Sequence, residues 1–149
     1  MDIFRIVQEK YAASLLSSGR AARWNEEGQH VIYTSASRSL ATLELLVHLG
    51  NLKTASQYKV LVISVNRKQG VVEKLNEKML PRNWREIAAY PVLQQLGSSW
   101  YRNRRSLVLQ VPSVIIPRES NYIINTKHTE FQSNIRLIKK EAYFWDERL

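Results

Sequence analysis

Cysteine is absent from the 149 residues, which excludes disulfides, thiolate metal sites, iron–sulfur clusters and a cysteine nucleophile. Glycine and proline are few, with 5 and 4 copies, and no stretch rich in Gly, Ser or Pro divides the chain. We find no internal repeat and no low-complexity tract. Since about 100 to 200 residues make one ordinary domain, we expect a single domain over residues 1–149.

Long apolar runs are also missing. The strongest run, residues 60–65, is too short to cross a bilayer, and the first residues lack a basic segment followed by an apolar stretch. We therefore expect a cytoplasmic protein with no membrane partner. Hydrophobic residues still make up 44% of the sequence and charged residues 23%, a mixture typical of folded chains.

Positive charge dominates what is present. The chain has 22 Lys and Arg against 13 Asp and Glu, and its formal net charge is +9. The excess is distributed over both halves of the sequence and does not form a tail. Such a field attracts anions, whether nucleic acid, a nucleotide or an acidic protein. Charge alone does not choose among these partners.

Runs of β-branched, aromatic and other apolar residues predict strands. The predicted strands cover residues 3–7, 30–34, 59–65, 107–111, 122–124 and 135–145. The runs 59–65 and 107–111 are almost entirely apolar, so we place them at the centre of the sheet and expect Pro112 to end the second.

Helical spacing of apolar residues predicts two helices, Arg38–Leu49 and residues 91–104. Ser37 or Ser39 can cap the first helix, and Gly50 with Asn51 is its stop signal. Together the elements predict an α+β (mixed α/β) fold, with a central mixed sheet flanked by helices.

Several motifs with a known mechanism are absent, namely G-x-G-x-x-G, the phosphate-binding P-loop, G-x-S-x-G and H-E-x-x-H. The three histidines, His30, His48 and His128, lie far apart in the sequence without carboxylates at ligand spacing. We therefore expect no metal site.

Glu44 is the most informative residue of the first helix. On a helical wheel it borders the apolar stripe, and the leucines around it predict a helix that is buried nearly all round. A buried carboxylate needs partners or a raised pKa. Two interpretations follow, a structural ion pair with an arginine or a functional carboxylate.

Arg23 and Tyr33 favour the functional interpretation, because the strand that ends near Tyr33 leads into the helix that carries Glu44. An arginine can bind phosphate, a tyrosine ring can stack on a flat heterocycle, and a carboxylate can stabilise a positively charged sugar. Together they describe a nucleotide glycosyl site. The alternative is that Trp24 and Tyr33 are core aromatics and Arg23 is a surface charge.

Ser113 follows the predicted strand 107–111. A serine at the end of a strand can donate a hydrogen bond to a phosphate or ribose oxygen. No Ser-His-Asp order or elbow motif supports it as a nucleophile.

Taken in their order along the chain, the segments around Arg23, Tyr33, Glu44 and Ser113 resemble the RES domain family, the toxins of Xre-RES toxin–antitoxin pairs. The resemblance spans nearly the whole chain, although no single segment is decisive. It is carried by Ala22-Arg23-Trp24-Asn25 with Gly28, by Val31-Ile32-Tyr33-Thr34, by residues 40–48, by Val111-Pro112-Ser113, by residues 121–125 and by Asp146-Glu147-Arg148-Leu149.

The chain departs from the family pattern at two places. Thr126-Lys127-His128-Thr129 keeps the histidine of a Pro-x-His-Pro segment but loses both prolines, and Ala21-Ala22 replaces paired glycines. Arg20 is a nearby competitor for the arginine role. We prefer Arg23, because Trp24 and Asn25 follow it as in the family.

The resemblance implies a fold similar to ADP-ribosyltransferase toxins, an activity that consumes NAD as its substrate without a metal, and an Xre-like helix-turn-helix antitoxin as partner. It implies that Arg23, Glu44 and Ser113 are catalytic and that Tyr33, Arg23, Ser113 and Asn25 bind substrate. The acceptor stays open: water gives hydrolysis, phosphate gives phosphorolysis, and a protein side chain gives ADP-ribosylation. A homodimer within the complex stays open as well.

Two rivals come from other classes of protein. Aromatic and arginine residues alternate in segment 100–105, as in a module that stacks bases and neutralises phosphates, so an RNA-binding or ribonuclease-type toxin is one alternative. The segment is more often a solvated helix face, and we expect no direct contact with nucleic acid. The second rival is a non-catalytic binding protein in which Glu44 and Arg23 form a structural ion pair.

Overall fold

The computed structural model describes residues 1–50 and 56–149, and seven of the strands in these ranges form one sheet. The strands are β1 (Asp2–Gln8), β2 (Val31–Ser35), β3 (Tyr58–Val65), β4 (Val72–Lys74), β5 (Val108–Pro112), β6 (Ser120–Asn125) and β7 (Ile135–Tyr143). The α-helices are α1 (Arg38–Leu49), α2 (Tyr90–Asn103) and the short α3 (Phe131–Asn134).

The sheet has the order β4-β5-β6-β2-β1-β3-β7. Only β4 and β5 pair in parallel, and all other neighbours are antiparallel. The predicted α+β class with a mixed sheet is therefore confirmed. Pro112 is the last residue of β5 and not the residue after it, and β7 ends before Trp145, two residues earlier than predicted.

Helix α1 has the predicted bounds. The side chain of Ser37, and not that of Ser39, accepts the Leu40 N–H at 3.0 Å and so caps the helix. Gly50 ends it with a φ of 57°, a left-handed conformation that favours glycine. Asn51, the other half of the predicted stop signal, lies outside the described residues.

The prediction that α1 is buried nearly all round is wrong. Leu40 and Ala41 are its buried residues, whereas Leu43 is 36% exposed and Val47 is 67% exposed. The helix packs on one face of the sheet, against Phe4 and Ile6 of β1, and its opposite side faces outward. The apolar residues in the sequence of a helix do not reveal whether another layer of the protein covers its outer side.

The same sheet face also carries α2. Leu93 and Trp100 of this helix are fully buried against β2, β5 and β6, where they contact residues such as Leu109 and Ile123. Phe4 pairs with Ser35, so the α1 half and the α2 half of this face are continuous. A third core cluster, with Ile32 and Leu61, fills the other face. The two helices therefore stand side by side above the middle of the sheet.

Strands β1 and β2 are hydrogen-bonded at one register position, Phe4 with Ser35. Beyond that pair the two strands separate towards Ile6 and Tyr33. The separation opens the middle of the sheet below the gap between α1 and α2.

Candidate functional site

A cavity of about 660 Å³ occupies the gap between α1 and α2, a size within the range of small-molecule sites. Three of the predicted site residues line it, Arg23, Tyr33 and Glu44. Asn25 and Ser113 are not among its lining residues. The sequence prediction that Arg23, Tyr33 and Glu44 converge therefore agrees with their positions in the structure.

Glu44 is the one carboxylate among the described residues that line the cavity. Its Oε1 accepts a hydrogen bond from Ser113 Oγ at 3.0 Å and another from Asn121 Nδ2 at 2.6 Å. Its Oε2 has no hydrogen-bond partner among the described residues, and no arginine of that part of the chain pairs with it. One oxygen thus fixes the carboxylate while the other is free for a ligand.

Ser113 lies behind Glu44 and is fully buried. Its hydroxyl donates to Glu44 and accepts the N–H groups of Ile115 at 3.1 Å and Ile116 at 3.2 Å. A hydroxyl has one donor and two acceptor positions, so all three are used within the protein. The structure places Ser113 as a support of Glu44, and not at a ribose or phosphate oxygen as the sequence predicts.

Asn121 is the second support of Glu44, and sequence reasoning did not single it out. It pairs with Ser35 across β6 and β2, and Ser35 Oγ donates to its Oδ1 at 2.9 Å. That bond turns the amide nitrogen towards Glu44. Because this role arises from pairing between distant strands, only the family segment 121–125 pointed towards it in the sequence.

Tyr33 contributes its ring to the cavity and its hydroxyl to a neighbouring loop. The hydroxyl donates to Asn25 Oδ1 at 2.6 Å and accepts the Trp24 N–H at 3.0 Å. Burial raises the pKa of Tyr33 well above its ordinary value, so the hydroxyl stays protonated. Asn25 is itself buried and donates to the carbonyls of Arg20 and Glu26. Asn25 therefore holds the loop in place and does not reach the cavity.

Arg23 is held at the edge of the cavity by backbone and aromatic contacts. Its Nη1 donates to the carbonyls of Trp84 at 3.1 Å and Arg85 at 3.4 Å, and its guanidinium lies 4.6 Å from the ring centroid of Tyr90. These contacts leave other N–H groups for an anion. Arg20 is exposed and does not line the cavity, so the position of Arg23 fits the preference expressed above.

Arg5 is a cavity residue that sequence reasoning missed. It borders the opening between β1 and β2, and its Nη1 donates to the Leu16 carbonyl at 2.9 Å. Burial lowers the pKa of the guanidinium, and no acid of the described residues pairs with it. A lone arginine in a strand carries no motif, so only the fold identifies it.

The cavity therefore combines the guanidinium of Arg23 with the carboxylate of Glu44, and Arg5 borders it from β1. A phosphate group fits beside Arg23, whereas a centre that develops positive charge fits beside Glu44. A phosphate-bearing molecule with a cationic end satisfies both. No group of three His, Asp or Glu side chains within residues 1–50 and 56–149 could hold a metal ion.

The segment proposed for stacking bases is arranged differently. Trp100 is fully buried, and its Nε1 donates to Ser106 Oγ at 2.8 Å. Arg102 pairs with Glu26 and Arg105 with Glu73, at 3.4 Å and 2.9 Å. The segment offers core packing and surface ion pairs, and these do not favour RNA binding. None of the described helices is long and apolar enough to span a membrane.

Comparison with known proteins confirms the resemblance stated above. The family model of the RES domain matches residues 2–146. A Toxin Res of Yersinia enterocolitica is 33% identical over 153 residues, covering 100% of this chain and 99% of that protein. A Prs ADP-ribosylating toxin of a Sphingobium species is 34% identical over 145 residues, covering 93% of this chain and 89% of that protein.

A solved structure shows the same fold. One chain of the crystal structure of the M. tuberculosis MbcT-MbcA toxin–antitoxin complex aligns with a TM-score of 0.76. The alignment covers 95% of this chain and 83% of that chain, at 14% sequence identity.

Proposed function

Because this chain belongs to the RES domain family, we propose that it is the toxin of a toxin–antitoxin pair and that it cleaves the nicotinamide–ribose bond of NAD+. The observation that carries the proposal is the Glu44 carboxylate, which lines the cavity. Its Oε1 is fixed by Ser113 and Asn121, and its Oε2 accepts no hydrogen bond from residues 1–50 and 56–149. The name of the ADP-ribosylating relative supports NAD+ as the substrate.

Cleavage needs stabilisation of positive charge more than it needs an acid. The bond between ribose C1′ and the nicotinamide nitrogen breaks, and its electron pair goes to that nitrogen, which becomes neutral. The ribose passes through an oxocarbenium-like state that Glu44 stabilises electrostatically. One carboxylate is therefore sufficient, and a second acid to protonate the leaving group is not required.

The remaining cavity residues bind and orient the substrate. Arg23 holds the pyrophosphate, and the Tyr33 ring stacks near the nicotinamide. Ser113 and Asn25 act indirectly, the first by orienting Glu44 and the second by fixing the Tyr33 hydroxyl. Binding in this pose brings C1′ to the carboxylate before the bond breaks.

The acceptor of the ADP-ribose group distinguishes three forms of this function. Water gives an NAD+ glycohydrolase and phosphate an NAD+ phosphorylase. A protein side chain gives an ADP-ribosyltransferase, which the ADP-ribosylating relative favours as the second candidate. We propose an Xre-like antitoxin as the partner that restrains the activity, and the antitoxin in the MbcT-MbcA complex supports such a pairing.

Incubation of NAD+ with the purified chain, with and without inorganic phosphate, tests the proposal by chromatography. We expect free nicotinamide together with ADP-ribose or its phosphorylated form. Glu44→Gln keeps the shape of the side chain and both donors can still reach its oxygen, so it is the matched control. It is expected to abolish turnover while the circular dichroism spectrum is unchanged. Nicotinamide release at the full rate by folded Glu44→Gln would disprove the role of Glu44.

A further inference from the structure

His48 lies four residues after Glu44 on α1, so both side chains are on the same side of the helix. Both line the same cavity. The imidazole is exposed and makes no hydrogen bond to any residue in the described ranges. His48 thus stands next to the functional carboxylate, at the cavity mouth, with both ring nitrogens free.

The proposed reaction leaves a proton without an assigned destination. When water or a protein hydroxyl bonds to C1′, the attacking oxygen must lose its proton. The titratable groups that face the cavity are Arg5 of β1, Arg23 of the loop before β2, Tyr33 of β2, Glu44 and His48 of α1, and Tyr90 of α2. Arginine does not accept protons, and tyrosine is already protonated at neutral pH.

Two groups, Glu44 and His48, can therefore receive this proton. Glu44 is already engaged, because two hydrogen bonds fix Oε1 and the developing sugar cation needs its negative charge. Protonating it would remove that charge at the moment when it is required. The imidazole has no such conflict.

We propose, on the basis of the proposed function, that His48 is a further catalytic residue that accepts the proton of the incoming acceptor. As the oxygen of the acceptor bonds to C1′, its proton moves to a ring nitrogen of His48, and the nicotinamide leaves with the electron pair of the broken bond. The exposed ring then releases the proton to solvent.

The pH dependence of kcat for nicotinamide release tests this role. His48→Asn is expected to lower kcat on the order of a hundredfold near neutral pH, with KM within about twofold, and to lose the acid limb of the profile. His128→Asn is the matched control, because His128 lies outside the cavity and its Nδ1 accepts the Glu130 N–H. It should follow the wild-type profile. An unchanged acid limb in His48→Asn, or a loss confined to KM, would overturn the proposal.

Azide provides a second arm, because this anion attacks C1′ without losing a proton. If His48 acts as a base, azide restores nicotinamide release by His48→Asn to the wild-type rate and the product is an azido sugar nucleotide. A variant that stays slow, while the wild-type protein forms that product, contradicts the proposal. Wild-type protein that leaves NAD+ intact under all conditions would instead contradict the proposed function itself.

Discussion

The hydroxyl of Ser113 donates a 3.0 Å hydrogen bond to Oε1 of Glu44, although the two residues are 69 positions apart in the chain. Asn121, 77 positions from Glu44, donates to the same oxygen at 2.6 Å. The carboxylate is therefore fixed by the residue that follows β5 and by a residue of β6, and not by its own helix. Its orientation depends on how well the sheet holds these two donors.

Ser113→Ala tests this orientation. The change removes one donor and leaves the N–H groups of Ile115 and Ile116 without their acceptor. We expect kcat for NAD+ cleavage to fall roughly ten- to hundredfold with little change in KM, and the free energy of unfolding to fall by about 1–3 kcal/mol. Asn121→Ala should lower kcat similarly, and the double variant should lose less than the product of the two effects.

The control for this pair is Ser39→Ala, at an exposed position of α1 away from the carboxylate. Steady-state kinetics and urea unfolding of these four variants and of the wild-type protein give the comparison. A Ser113→Ala protein with wild-type kcat would show that Glu44 does not need this hydrogen bond.

Arg23→Ala and Arg20→Ala separate the two arginines that compete for the phosphate role. Arg23 lines the cavity beside Tyr90, whereas Arg20 is exposed outside it. Loss of a charged hydrogen bond is worth about 1.5–3 kcal/mol, so Arg23→Ala should raise KM for NAD+ roughly 10- to 100-fold. Arg20→Ala should stay within about twofold. The reverse ranking in initial-rate measurements would assign the anion contact to Arg20.

Tyr33→Phe tests the buried phenol through alkaline stability. The unfolded chain loses this proton near pH 10, whereas burial raises the pKa of Tyr33 in the folded chain. Above about pH 10 the folded state therefore loses about 1.4 kcal/mol per pH unit relative to the unfolded state. At neutral pH, Tyr33→Phe should be about 1–2 kcal/mol less stable than the wild-type protein, because its hydrogen bonds are missing. The variant has no phenol to titrate, so this difference in unfolding free energy should shrink as the pH rises.

Urea unfolding from about pH 8 to 11 measures the difference. Tyr11→Phe, at a residue whose side chain is exposed, serves as the control and should show no such convergence. A deficit of Tyr33→Phe that is constant over this range would mean that the hydroxyl titrates normally in the folded protein.

Gly97→Ala tests the contact between α2 and the loop that carries Arg23. A Cβ at position 97 would overlap the backbone carbonyl of Trp24, so either the helix or the loop must move. We expect a loss of unfolding free energy of more than about 2 kcal/mol and, in protein that remains folded, a higher KM for NAD+. Ser99→Ala on the exposed side of α2 should change stability by less than about 0.5 kcal/mol. Equal stability of the two variants would contradict the close contact.

Much of the fold could be predicted from local patterns. The bounds of α1 follow from apolar spacing and from the Ser37 and Gly50 caps, and β3 follows from a continuous apolar run. The exposure of the outer side of α1 could not be predicted. Leu43 and Val47 are apolar like the buried Leu40, and they differ from it only because no layer of the described structure covers them.

The site was predicted in part, for a comparable reason. Glu44, Tyr33 and Arg23 could be grouped because they lie close in the sequence and match an ordered family pattern. Asn121 and Arg5 could not be predicted. The position of Asn121 depends on the register of β6 with β2, and the position of Arg5 at the cavity depends on the separation of β1 from β2. Ser113 stays a prediction as a site residue, and the direction of its hydroxyl depends on a turn that the sequence does not reveal.

The distance along the chain between Glu44 and its two donors also has a consequence during synthesis. The carboxylate reaches its final orientation only after β6 has formed beside β2, and long-range pairing of this kind comes late in folding. A nascent chain on the ribosome, or a fragment that ends before Ser113, holds Glu44 on a helix but lacks both donors that orient its carboxylate. By this criterion we expect an incomplete copy of the chain to lack the proposed NAD+ cleavage.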